Sequence, residues 1–181
     1  MDDHQSHMNR TRFTAILFAA CFLSYSGCDT GLGPIVEPSG FTGVIRFKNW
    51  PTADSVRDLR LVAFDTYPSD SAGIFLALLS GRVAVYPADL TAAGSLPKFV
   101  DSVAFTVTTK VGINFKYQQY GYVIVAQLYG PNAFADWRPA GVYTLQPNTF
   151  NPAPVFLRVN RFSTNIDILV DFQNPPPKPW R

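Results

Sequence analysis

Histidine and cysteine, the side chains that most often carry enzyme chemistry, are few in this 181-residue chain and lie near its beginning. The two histidines are His4 and His7, and the two cysteines are Cys21 and Cys28. Ser-His-Asp and Cys-His catalysis both need a histidine, and zinc is usually held by histidine and cysteine. If the chain is cut before Cys28, we expect no such catalytic site, no zinc site of this type and no disulfide behind the cut.

The acidic side chains beyond residue 40 are all aspartates, because the single glutamate is Glu37. Asp65 and Asp70 flank a turn and offer the oxygen ligands that calcium prefers, but turn aspartates more often hydrogen-bond to their own backbone. Asp167 and Asp171 share one face of a predicted strand, where solvated charges are expected rather than a catalytic acid pair. We therefore predict no catalytic residue, no metal site and no cofactor.

The beginning of the chain has the layout of an export signal. Arg10 and Arg12 form a short positive segment, and the next eleven residues are an apolar run. Eleven residues are too few to span a bilayer as a helix, which needs about 20. These features predict a signal peptide over residues 1–27. Met8 gives a more compact basic start than Met1, so the choice between the two starts stays open.

The motif Ser26-Gly27-Cys28 resembles the lipobox of bacterial lipoproteins, in which small residues precede a cysteine that receives lipid. Tyr25 stands where that family usually has leucine. The resemblance implies lipid on Cys28, a membrane as partner and a location in the cell envelope, at the outer membrane. The alternative is simple secretion, with Cys28 left as a free thiol.

Behind Cys28, the composition indicates one folded domain between two short segments. Residues 28–40 are rich in glycine and proline and are predicted to be a flexible tether. Residues 41–173 would form the domain, and residues 174–181 a proline-rich tail that is extended and exposed to solvent. The net charge is only +2 and the basic residues are scattered, which argues against a nucleic-acid-binding protein.

Short apolar or alternating segments follow one another along the domain and predict an all-β fold. The alternation is clearest in residues 42–48 and 166–172, whose apolar side chains fall on one face. Residues 74–79 fit either a short helix or a strand, and the flanking Ala-Gly and Ser-Gly pairs favour one or two turns of helix. Further strands are predicted for residues 59–65, 83–86, 100–108, 113–117, 120–128 and 155–159. Such spacing favours an antiparallel β-sandwich of about seven to nine strands, immunoglobulin-like or prealbumin-like.

The strand pattern resembles the transthyretin-like, carboxypeptidase-regulatory-like domains of bacterial surface lipoproteins. The segments that carry the resemblance are residues 43–47, 61–64, 121–126, 141–143 and 166–172. It covers most of residues 41–172 and implies a β-sandwich. In several relatives the loop after the Gly-Tyr strand is rich in Asp, Asn and Gly, whereas here it has one aspartate, Asp136. The family is defined by its fold, which does not fix an activity.

The predicted loop 129–140 is the candidate binding site. It brings aromatic and polar side chains together: Tyr129, Asn132, Phe134, Asp136, Trp137 and Arg138. Aromatic rings beside polar groups can stack on a sugar or anchor a protein, and Trp, Tyr and Arg dominate the binding energy of protein interfaces. The alternative is that Phe134 and Trp137 fold inward to cap the sandwich, with an ion pair between Asp136 and Arg138 outside.

Together these features predict a lipid-anchored envelope protein that is not an enzyme. Its partner would be another envelope protein or a surface polysaccharide, with no nucleic acid involved. The alternative is an accessory domain of a glycan hydrolase, or a weak hydrolase that uses aspartates. Such a hydrolase would need two aspartates in one cleft, about 5–10 Å apart.

Overall fold

The computed structural model describes residues 38–89, 91, 94–109, 119–147 and 149–180. The predicted signal peptide, Cys28, most of the predicted tether and the predicted strand 113–117 lie outside these residues. The strands are β1 (Ser39–Lys48), β2 (Asp58–Phe64), β3 (Val83–Tyr86), β4 (Ser102–Thr109), β5 (Gln119–Tyr120), β6 (Tyr122–Leu128), β7 (Trp137–Val142), β8 (Val155–Phe156), β9 (Phe162–Ser163) and β10 (Ile168–Asp171). The α-helix α1 is Ser71–Leu79, and Ala53–Ser55 forms a short 3-10 helix.

Eight of these strands form one mixed sheet in the order β3-β2-β6-β7-β10-β1-β4, with β9 also paired to β1. β1 is parallel to β10 and to β9, and the other pairs are antiparallel. β5 and β8 form a separate antiparallel pair. The predicted all-β class is confirmed, but the antiparallel pairing is wrong at β1. The parallel partners of β1 come from the other end of the chain, and a long connection permits parallel pairing.

The large sheet is curled into a half-barrel, so that its two edge strands approach each other. The ring of Tyr86 in β3 and the ring of Phe105 in β4 lie 6.4 Å apart, centroid to centroid. The alternation predicted for β1 is confirmed, since Ile45 and Phe47 are buried and Arg46 is exposed. The inner face carries the main core, with buried side chains that include Phe41, Ile45, Leu61, Phe105, Val123, Val155 and Ile168.

The outer face of the sheet carries a second apolar cluster along β2, β6 and β7. It consists of Phe64, Ala77, Tyr122, Ile124, Ala126, Val142 and Trp180. β6 is therefore apolar on both faces, and each face must be covered from water. Helix α1 covers part of the outer face through Ala77, and the tail covers another part through Trp180, which is only 8% exposed. For this reason the prediction of a solvent-exposed tail is wrong at Trp180.

The strand directions place α1 and the loop after β6 at opposite ends of the sheet. β1, β10 and β6 run one way, and β7 and β2 run the other way, so β2 ends at the same end of the sheet as the start of β1. The ring of Phe41 lies 5.7 Å from that of Tyr120, and the Gly121 N–H donates to the carbonyl of Asp65 at 3.0 Å. We call the end that holds Ser39 and α1 the entry end, and the opposite end the far end.

Helix α1 connects β2 and β3, and the short helix predicted for residues 74–79 is confirmed. Asp70 caps its first turn, because the carboxylate accepts the Gly73 N–H at 2.6 Å. That hydrogen bond lowers the pKa of Asp70 below its usual value. Gly81 follows the helix with φ of +67°, a left-handed conformation that glycine adopts without a steric clash. The cap and the glycine define the two ends of the helix.

Candidate functional site

The candidate loop lies at the far end of the sheet and is shorter than predicted. β6 ends at Leu128 and β7 begins at Trp137, so the loop is residues 129–136. The prediction of a loop over residues 129–140 is wrong for its last four residues, which belong to β7. Two of the predicted site residues, Trp137 and Arg138, therefore lie at the start of a strand, which restricts their backbone more than a loop would.

Proline and a shift of register explain why β7 was not predicted. Pro139 has no N–H for the ladder, and proline inside a segment argues against a strand. Val125 pairs with Gly141 whereas the next residue, Ala126, pairs with Pro139. Ala140 is thus the extra residue of a β-bulge, where the regular ladder is interrupted. The bulge accommodates the proline within a strand of the sheet.

The backbone of the loop is held by its own polar side chains. Asn132 accepts, at Oδ1, the N–H groups of Phe134 and Ala135 at 3.0 and 3.1 Å. The Asp136 carboxylate accepts the Asn132 N–H at 2.8 Å. The loop is closed by the Tyr129 N–H, which donates to the carbonyl of Asp136 at 3.0 Å. The side chains of Asn132 and Asp136 therefore position the backbone of the loop.

The two aromatic residues of the loop region have opposite surroundings. Phe134 is 93% exposed, at the tip between Asn132 and Asp136. Trp137 is half-buried, packs against the outer apolar cluster, and donates its indole N–H to the carbonyl of Ala133 at 2.8 Å. Phe134 therefore leaves its apolar ring exposed to solvent, whereas Trp137 connects the loop to the body of the domain.

Arg138 lies in a network that reaches the buried side chain of Gln127. The Arg138 guanidinium lies 5.2 Å from the centre of the Tyr129 ring, and its Nε donates to Oε1 of Gln127 at 3.0 Å. Gln127 is fully buried and donates to the carbonyl of Ser55 at 2.6 Å. Among the ion pairs of the described residues, none joins Arg138 to Asp136. Sequence reasoning missed Gln127, although a lone amide in an otherwise apolar strand was a signal.

The aspartates considered as calcium ligands have separate structural contacts. Asp65 is 5% exposed, and its carboxylate lies 3.5 Å from the guanidinium of Arg82. Asp70 caps α1 through the Gly73 N–H. Within the described residues, no group of three or more His, Cys, Asp or Glu side chains is arranged to hold a metal ion.

A cleft of about 390 Å³ lies beside β1, β7 and β10 and was not predicted. Its volume falls in the range of small-molecule sites, about 300–1,000 Å³. Leu169 lies between two aspartates of the same strand segment and is 45% exposed, which was a signal for an apolar surface there. The cleft is lined by charged and apolar side chains that include Arg46, Asp167, Asp171, Leu145, Phe150 and Leu169.

The two aspartates of the cleft are already paired. Asp167 forms an ion pair with Arg46 at 3.0 Å. Asp171 accepts the side-chain amide of Asn49 at 2.8 Å, and this bond lowers the pKa of Asp171. A glycosidase needs one carboxyl group that stays protonated, and the two carboxyl groups about 5–10 Å apart. Positions four residues apart on a strand are about 13 Å apart, so the cleft disfavours the hydrolase alternative.

No protein-family model, no curated protein and no solved structure matches the chain. The interpretation of the loop and of the cleft therefore depends on the geometry of the residues themselves. In the ranges that the structure describes, no helix combines the length and the apolar character needed to cross a membrane.

Proposed function

We propose that this chain is a bacterial lipoprotein of the outer membrane, anchored by lipid on Cys28, whose β domain binds an envelope protein through the loop 129–136. The domain acts as a binding or assembly module and not as an enzyme. The observation that carries the binding role is Phe134, which is 93% exposed on a loop whose backbone N–H groups donate to the side chains of Asn132 and Asp136.

The anchor is supported by the order of features at the beginning of the sequence. Two arginines precede an apolar run of eleven residues, and the small residues Ser26 and Gly27 precede Cys28. The apolar run suits recognition for export, and small residues before the cysteine suit cleavage next to it. This proposal also gives the cysteine a role that needs no second thiol.

We also propose that the domain belongs to the transthyretin-like, carboxypeptidase-regulatory-like domains and is therefore a β-sandwich. Its support is that segments carrying the resemblance are strands of the sheet: residues 43–47 belong to β1, residues 61–64 to β2 and residues 122–126 to β6. Gly43 fits the same pattern, because a Cβ there would lie 2.2 Å from the carbonyl oxygen of Ile166. A side chain at this position would push β1 away from the last segment of the domain.

A protein partner is favoured over a polysaccharide by the state of the loop's polar groups. Sugar binding combines a stacking ring with polar side chains that hydrogen-bond to hydroxyl groups. Here Oδ1 of Asn132 and the carboxylate of Asp136 already accept backbone N–H groups. The exposed rings of the loop are those of Phe134 and of Tyr129, the latter 5.2 Å from the Arg138 guanidinium, and aromatic and arginine side chains are enriched in protein interfaces.

The anchor is tested by replacing the proposed lipid site. We expect Cys28→Ser to abolish incorporation of radiolabelled palmitate and to move the protein from the membrane fraction to the soluble fraction, or to stall it as the uncleaved precursor. Replacement of the other cysteine, Cys21→Ser, is the matched control and should leave labelling and fractionation unchanged. Normal labelling and membrane partition of the Cys28→Ser chain would show that the anchor is not on Cys28.

The binding role is tested by photocrosslinking in intact cells. A photoreactive phenylalanine analogue replaces Phe134, and the same analogue at Phe156, which is 58% exposed in β8, is the control. We expect a discrete protease-sensitive adduct from position 134 and none from position 156. An adduct that resists protease but is removed by glycan hydrolases would replace the protein partner by a polysaccharide. Equal adducts at both positions would contradict a specific site on the loop.

A further inference from the structure

Helix α1 presents an apolar surface that the described part of the chain leaves uncovered. Ile74 and Ala77 are the buried or partly buried apolar side chains of the helix, and both pack against the outer cluster. The remaining large side chains, which we call the helix patch, are strongly exposed: Phe75 by 56%, Leu76 by 61%, Leu78 by 47% and Leu79 by 70%. The helix sequence SAGIFLALL contains no charged residue. A helix that is apolar all round is normally buried, so we expect the helix patch to be buried against another surface.

The position of the helix patch in the fold indicates what covers it. α1 lies at the entry end, where β1 begins at Ser39. Cys28 precedes Ser39 by eleven residues, which span at most about 40 Å even when fully extended. If lipid is attached to Cys28, as the proposed function holds, the entry end is tied close to a membrane surface. The far end, with Phe134, lies on the other side of the domain.

The surroundings of the helix patch suit the boundary between lipid and water. Tyr67, 53% exposed, packs with its ring 4.8 Å from that of Tyr122 at this end, and tyrosine is enriched at membrane interfaces. Arg82 follows the helix with its side chain 40% exposed; its Nε donates to the Ser80 hydroxyl at 3.0 Å, and its Nη1 lies 3.5 Å from the buried carboxylate of Asp65. Asp70 is the acidic group at the start of the helix and already caps it. An arginine beside an uncharged helix matches phosphate headgroups above acyl chains.

We infer that the helix patch inserts into the phospholipid surface to which the chain is anchored, and that this second attachment holds the loop 129–136 away from the membrane. The inference rests on the proposed lipid anchor. A short apolar helix binds a bilayer weakly alone, and weak membrane signals become effective in pairs. A second copy of the chain is a poorer cover, since a stable dimer buries about 800 Å² per partner and α1 is only about 14 Å long.

The test compares how deeply two matched positions of the full, lipidated chain lie in a lipid bilayer. Leu79→Cys and Phe134→Cys are each labelled with an environment-sensitive fluorophore and reconstituted into vesicles of phosphatidylethanolamine and phosphatidylglycerol. Both positions are highly exposed, so neither substitution should disturb the fold. Leu76→Cys provides a second position on the helix. We expect quenching by lipids with spin-labelled acyl chains to be several-fold greater at positions 79 and 76 than at position 134.

The possible results distinguish failure of the lipid anchor from failure of membrane insertion by the helix patch. Mass spectrometry first establishes whether Cys28 carries lipid, and a chain without lipid would overturn both the anchor and the inference. A lipidated chain with equal quenching at positions 79 and 134 would overturn membrane insertion alone. A fluorescence change at position 79 that rises with the protein-to-lipid ratio would identify a second copy as the cover and would also overturn the inference.

Discussion

Trp137 and Phe134 lie three positions apart in the sequence, but one ring is half-buried and the other is exposed, so mutating each in turn is informative. Trp137 contacts the outer cluster and donates to the Ala133 carbonyl, whereas Phe134 is 93% exposed. Removing a packed aromatic ring costs stability in proportion to its burial, whereas removing a free ring costs almost none. The pair therefore separates the structural part of the loop region from the part that we propose binds a partner.

We expect Trp137→Ala to lower the free energy of unfolding by about 2–3 kcal/mol, below the range for fully buried aromatic residues because the ring is half-buried. Phe134→Ala should change it by less than about 0.5 kcal/mol. Urea unfolding curves of both variants measure the difference. A loss below about 1 kcal/mol for Trp137→Ala, together with loss of partner binding, would instead assign the tryptophan to the binding surface.

Tyr120 gives the domain a dependence on alkaline pH. Burial, together with the nearby charge of Asp65, raises the pKa of Tyr120 to about 12 from its ordinary value of 10.0. Burial also raises the pKa of Tyr122. A raised pKa means that the folded state favours the neutral phenol, so this stabilisation is complete below pH 10 and is lost as the pH rises from 10 towards 12.

We therefore expect the urea midpoint to be steady up to about pH 9 and to fall between pH 10 and 12. Tyr120→Phe keeps the ring that packs 5.7 Å from Phe41 and removes the titrating hydroxyl, so its midpoint should fall less steeply over that interval. Superimposable pH profiles for the two chains would show that Tyr120 does not carry the effect.

At the scale of elements, β3 and α1 could be predicted because their signals are local. The apolar runs are short and bounded by Gly, Ser and Pro, and the faces of β1 follow from simple alternation. β7 was missed because Pro139 masks a strand whose irregularity is a bulge. The packing of the tail was missed because its proline-rich composition predicts exposure to solvent. The tail packs against β6 through Trp180, and this contact depends on the apolar outer face of a strand that is distant in sequence.

The tail should behave as a packed element of the domain. We expect Trp180→Ala to lower the free energy of unfolding by about 3 kcal/mol, because the ring is 8% exposed and lies on the outer cluster. Leu145→Ala is the control, since Leu145 is 77% exposed and should contribute less than about 0.5 kcal/mol. Calorimetry or urea unfolding distinguishes the two variants. Equal stability of both would mean that the tail does not support the fold.

At the scale of the whole molecule, composition and strand spacing predicted the all-β class but could not predict which strands pair. Periodicity identifies the buried face of a strand and contains no information about its neighbour. The parallel pairing of β1 with β10 and the second sheet of β5 and β8 depend on contacts between distant segments. For the same reason the cleft that Arg46 and Asp167 help to line was not predicted, since its walls come from separate strands.

The whole domain should fold without a metal ion. Asp65 and Asp70, the aspartates considered as calcium ligands, already pair with Arg82 and cap α1, respectively, and Asp136 accepts a loop N–H. A bound ion would stabilise the folded state by mass action, so its removal would lower the melting temperature. With no ion bound, we expect the melting temperature of the full chain to change by less than about 1 °C in excess EDTA. A larger drop that added calcium reverses would contradict this.

The pairing of β1 with β10 also affects when the chain can fold. Ile45 pairs with Ile168, so the first and last strands of the described domain are neighbours in the sheet although most of the chain lies between them. Contacts between such distant segments form slowly, because a long loop must close before they are gained. During synthesis β1 lacks this partner until residues 168–171 emerge. The order of the strands thus delays folding, which is compatible with the export that we propose.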